Sequence, residues 1–133
     1  MSKHETPMTE WYWRKVLKKG TLIKEYVAVE RAEDGSNGSR FMDGLVILDG
    51  PFKMSDDVRC DIAGKDVVII QSKNKQLGMH LMGQALFSRE LLLKKGAKSV
   101  RSVAVCRKDD KAMHELLVAH HGMEVRVCPT EVK

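Results

Sequence analysis

The chain is poor in the residues that staple or punctuate small proteins. Its 133 residues include only three cysteines and three prolines, and aromatic residues make up 5%. Cys60, Cys106 and Cys128 are an odd number without a C-x-x-C pair, which speaks against both a disulfide framework and a zinc knuckle, so buried thiols are expected. No apolar run approaches the roughly 18 residues of a membrane-spanning helix, so no bilayer-embedded segment is expected. The opening MSKHETPMTE lacks the apolar stretch of a secretory signal, and a cytoplasmic location is the expectation. A glycine-rich phosphate loop, a nucleophile elbow and an H-E-x-x-H helix are all missing. Nucleotide hydrolysis, serine hydrolysis and zinc proteolysis therefore have no support.

What is present is enough apolar material for one core, at 43% hydrophobic against 31% charged residues, and a single domain over residues 1–133 is expected. The formal net charge is +5, a balance that favours polyanionic partners through phosphate neutralisation.

Along the chain, Thr9 reads as a helix cap before an amphipathic segment that ends in Lys18-Lys19 and stops at Gly20. The alternation IKEYVAVE predicts a strand over 23–30, followed by a glycine-rich turn. RFMDGLVIL predicts a second strand over 40–48, polar at its start and wholly apolar at its end. Residues 49–64 read as loop. DVVIIQSK, 66–73, is a third strand, with four consecutive β-branched residues before its polar end. Helical spacing of apolar residues follows over 77–95, then a strand over 99–106, a helix over 109–121 and a strand over 123–128. The order αβββαβαβ points to an α/β sandwich around a mixed sheet.

Chemistry concentrates where the third strand turns polar. Side chains alternate along a strand, so Gln71 and Lys73 project to one side. If the strand bearing Asp43 lies beside it, a carboxylate reaches the same point. Asp43 and Gln71 then offer oxygens to a hard cation such as Mg²⁺, with the Ser72 backbone carbonyl and waters completing the shell and Lys73 placed to orient a water. Plainer roles exist for each residue. Asp43 can pair with Arg40 or cap a turn, and Gln71 and Lys73 can be an ordinary solvated strand end. Other features read as structural: His114, His120 and His121 have no partner at ligand spacing, and one of Trp11 and Trp13 must face the core. Arg89, Lys94, Lys95, Lys98 and Arg101 form a basic cluster suited either to solvent or to a phosphate backbone.

The order of Glu10 on a first helix, Arg40-Phe41-Met42-Asp43 on one strand, Gln71-Ser72-Lys73 on the next and Gly83-Gln84 on the following helix resembles the PD-(D/E)XK nuclease superfamily over residues 9–106. Met42 stands where that pattern has proline, and Gln71 where it has its second acidic residue. The resemblance implies a restriction endonuclease-like α/β/α sandwich and a Mg²⁺-dependent DNA endonuclease of repair, recombination or restriction, with Mn²⁺ as a substitute ion. It assigns Asp43 and Gln71 as metal ligands with the Ser72 carbonyl, Lys73 as the catalytic lysine, Glu10 as an auxiliary acid near the metal, and Gln84 as a site-orienting residue. DNA contact is expected of Arg40, Lys75 and Arg89, and a homodimer is compatible with so small a chain. The alternative expectation is a nuclease-fold module, or a subunit, that binds nucleic acid without cutting it.

Overall fold

The structure, a computed structural model, describes residues 3–133. Along the chain run α1 (Glu5–Trp11), continued by a π-helical stretch over Tyr12–Leu17, then β1 (Thr21–Val29), β2 (Arg40–Ile47), β3 (Met54–Ser55) and β4 (Asp66–Ser72). After these come α2 (Met79–Lys94), β5 (Ser99–Cys106), α3 (Lys111–Val118) and β6 (Met123–Val127). The strands form one six-stranded sheet in the order β3-β1-β2-β4-β5-β6. Strand β2 is antiparallel to both β1 and β4, while β5 is parallel to its neighbours β4 and β6.

The apolar run of β4 is explained by its central place. Val68 and Ile70 turn to one face, where Met8, Tyr12 and Trp13 from the first helix pack with Leu22, Val103 and Val105. Val67 and Ile69 turn to the other, against Tyr26, Leu45 and Leu92. Farther along that second face, Leu81 and Ala85 of α2 and Leu117 of α3 cover Ala104 and Val125. A residue alternation that would be half polar in a one-sided sheet is apolar throughout because helices cover both sides. Burying each of these branched side chains contributes about 1.5–3 kcal/mol. The expected sandwich with a mixed sheet is the architecture observed.

Four local expectations are corrected. Thr9 is not a cap: α1 begins at Glu5 with no side-chain cap, and Thr9 lies fully buried inside it. The helical segment ends at Lys18, whose φ of +60° is left-handed, rather than being stopped by Gly20 alone. Gly20 is still required, since its φ is +83° and a Cβ there would lie 2.5 Å from Val46 Cγ1. The presumed loop over 49–64 contains β3, which pairs Leu22 with Met54 and Ile23 with Ser55 in parallel. Helix α3 is shorter than 109–121 because Asp110 caps it, its carboxylate accepting the Met113 N–H at 3.0 Å.

Candidate functional site

Strands β2 and β4 pair regularly from Ile47↔Val67 to Gly44↔Ile70, and there the backbone ladder ends. The next residues bond through side chains instead. Gln71 Oε1 accepts the Asp43 N–H at 3.3 Å, and Asp43 Oδ2 accepts the Ser72 N–H at 2.8 Å. Side-chain oxygens thus take over from strand carbonyls, so amides near the core stay satisfied while the two strands part. The structure thereby brings together Asp43, Gln71 and Ser72. Lys73 follows directly, its N–H donating to the Val105 carbonyl at 2.9 Å.

Both helical layers are tied to this point. Gln71 is buried, and its Nε2 donates to Ser88 Oγ of α2 at 2.9 Å. On the opposite face, Thr9 Oγ1 and Ser72 Oγ share a hydrogen bond of 2.8 Å. That approach needs Gly44, where a Cβ would lie 2.7 Å from Thr9 Cγ2. Thr9, read from sequence as a cap, is a positioning contact for the β4 end.

Negative charge accumulates here. Burial pushes the half-buried Asp43 carboxyl from 3.8 up to about 6, with Glu25 and Glu5 raising it further and the Ser72 N–H opposing. Glu25 falls opposite Asp43 in the antiparallel register, between Lys24↔Gly44 and Tyr26↔Met42. Its φ of +56° is costly for a residue with a side chain, on the order of 1–3 kcal/mol, and such strain concentrates at functional positions. Glu5 accepts the Asn74 N–H at 3.3 Å. Neither acid is marked in the sequence: Glu25 occupies a strand-like run, and Glu5 precedes the expected helix start.

The Glu10 carboxylate pairs with Lys24 Nζ at 3.0 Å and with Arg14 at 3.8 Å, and the acids that raise the Asp43 carboxyl are Glu25 and Glu5. Gln84 and Arg40 do approach Gln71, all three lining a cleft of about 430 Å³ between the start of β2 and α2. Lys73 and Lys75 line an adjoining cleft of about 350 Å³ beside the first turn of α2. Arg89 lines neither. Its side chain is only 18% exposed, bonded to Glu90 and set against the turn at Gly122. Of the expected basic cluster, Arg101 also faces Glu124, and Lys95 donates to the Tyr26 hydroxyl.

Among the described residues, no three His, Cys, Asp or Glu side chains stand close enough to hold a metal by themselves. A cation would have to use mixed oxygens: Asp43 Oδ1, the second lone pair of Gln71 Oε1 and a backbone carbonyl. Such a set fits Mg²⁺, which accepts one or two carboxylates and keeps several waters.

No family model matches this chain, and no curated protein matches it in sequence. Among solved structures, a repair endonuclease from Pyrococcus abyssi superposes with a TM-score of 0.56 at 16% sequence identity. The match covers 96% of this chain and 47% of that one, so the chain spans about half the neighbour's length. The fold is restriction endonuclease-like. At this identity the likeness concerns the fold, and the chemistry rests on the residues at the parted strands. Among the described residues, no helix is long and apolar enough to cross a membrane.

Proposed function

We propose that the chain is a metal-dependent endonuclease that hydrolyses phosphodiester bonds in DNA, with its site at the parted ends of β2 and β4. The observation that carries this reading is the half-buried carboxylate of Asp43, anchored by the Ser72 N–H and with its own N–H held by the Gln71 amide oxygen, with Lys73 one residue beyond. The nuclease fold of the structural neighbour supports it.

Asp43 and Gln71 would hold the ion through oxygen. An extended residue aims its N–H and C=O at the same strand edge, so Ser72, whose N–H meets Asp43, offers its carbonyl on that side as well. When bound, Mg²⁺ supplies a charge that stabilises the phosphorane-like transition state and acidifies a water. Lys73 orients the attacking water and accompanies the charge building on the phosphate. Gln84 fixes the entering strand from α2, while Arg40 and Lys75 hold phosphates on either side. Water adds to phosphorus, the bond to the leaving oxygen breaks, and that oxygen takes up a proton.

A second reading is favoured by one specific feature. The Gln71 amide is satisfied at both ends, by the Asp43 N–H and by Ser88, as expected of a residue that only shapes a binding surface. Lys73→Ala and Gln71→Glu separate the two. An enzyme loses cleavage in Lys73→Ala with its DNA binding little changed, and Gln71→Glu keeps or tightens its metal dependence. A binding module cuts in neither form, binds DNA in EDTA, and weakens when Gln71→Glu adds negative charge.

A further inference from the structure

The cleft beside Gln71 has walls of an unusual kind for a phosphate-handling surface. Buried Ala28, Met42, Gln71 and Ser88 form its floor. Its rim carries large apolar side chains open to solvent: Phe41 from β2 is 57% exposed, Phe87 from α2 is 66% exposed, and Met79 is 78% exposed. Three side chains capable of directional hydrogen bonds, Arg40, His80 and Gln84, line the same space. Two phenylalanines and a methionine exposed around one cleft mark a surface that an apolar group covers.

The neighbouring cleft indicates what that is. Met79 and His80 line both spaces, so the aromatic cleft adjoins the one that holds Lys73 and Lys75. One side of the track suits phosphates, and the other suits a planar heteroaromatic group with hydrogen-bonding edges. A volume of about 430 Å³ lies at the lower end of ligand-sized pockets, enough for a base with part of its sugar.

We propose that this cleft is a seat for one unpaired nucleobase, stacked on Phe41 or Phe87 and read at its edge by Gln84, Arg40 or His80. The phosphate of the same nucleotide then lies toward Lys73. The proposal rests on the nuclease reading and deepens it: the substrate is DNA with a base out of its stack beside the cut, as at a single strand, a flap or a mismatch. Fully paired duplex cannot place a base there without first extruding it, which costs a few kcal/mol.

The test is binding in EDTA, so it does not depend on cleavage. A single-stranded oligonucleotide carrying 2-aminopurine and its fully paired duplex are titrated with wild type, Phe41→Ala, Phe87→Ala and the double variant. All are surface changes, and unchanged melting curves confirm folding. The expected result is quenching of 2-aminopurine on binding, tighter binding of the single strand than of the duplex, and a loss of roughly 5- to 100-fold in single-strand affinity in at least one variant. Restoring a ring with Phe→Tyr should recover it, which Phe→Leu should not. That pattern supports the seat even if no cleavage is ever seen. Equal affinity for both DNAs with no effect of the alanine variants overturns it, even if the protein cuts DNA. A dimeric mass for wild type that becomes monomeric in Phe87→Ala also overturns it and assigns the face to a second copy of this chain.

Discussion

At the scale of single residues, the site is defined by a conflict between solvation and position. Asp43 is held where burial and two neighbouring carboxylates disfavour its ionised form. A folded-state carboxyl raised from 3.8 to about 6 binds its proton more tightly than the unfolded chain does. Stability therefore falls as pH rises from about 4 through 6 and levels above that range. In EDTA, Asp43→Asn should remove this dependence and unfold later than wild type at pH 7, by on the order of 2 kcal/mol, less than the full shift because the group is half-open to solvent. Equal stability of the two proteins from pH 4 to 8 would show that the carboxylate is not under strain. Gln71→Glu should do the reverse. It adds charge beside Asp43, so it should lower the melting temperature in EDTA and regain that loss in Mg²⁺.

At the scale of elements, the site exists because two strands stop pairing and a helix comes close. Gly44 permits the approach of α1 that lets Thr9 reach Ser72. Gly44→Ala should force that helix outward and destabilise the protein by roughly 1–3 kcal/mol in denaturant titration, with unchanged slope. A neutral effect would mean that Thr9 yields easily and does not position β4. Much at this scale is legible in the residues. Val67 to Ile70 announce a central strand because double-sided burial accommodates four β-branched residues in a row, and the polar residues from Gln71 onward mark where backbone pairing with β2 gives way to side-chain bonds. Strand β3 is not legible, because two residues have no period and their pairing is imposed by β1. The true start of α1 is hidden because Thr9 has the residue type of a cap, and only tertiary packing turns it inward.

On the scale of the whole molecule, the distribution of charge matters more than its sum. The net charge of +5 suggests a polyanionic partner without saying where it lies. The basic residues cluster at 89–101 in sequence, yet Arg89, Lys95 and Arg101 are engaged by Glu90, Tyr26 and Glu124. The lysines that share a cleft near Asp43 are Lys73 and Lys75. Asp43, Gln71 and Lys73 are legible together because strand alternation and adjacency suffice to join them. Glu25 is not, since its role depends on a left-handed backbone and a cross-strand register. If Lys75 meets phosphate, Lys75→Ala should reduce the slope of log affinity against log salt by about 0.7–0.9. An unchanged slope would place the DNA elsewhere.

Whether the parted strands cut DNA with a bound ion is tested most directly by cleavage of plasmid, duplex, single-stranded and four-way-junction DNA in Mg²⁺, Mn²⁺ and EDTA by wild type beside Asp43→Ala. Cleavage in either metal, lost in EDTA and in the folded variant, is the predicted result. Folded wild type that cuts none of these substrates, or an Asp43→Ala protein that cuts as well as wild type, would contradict it.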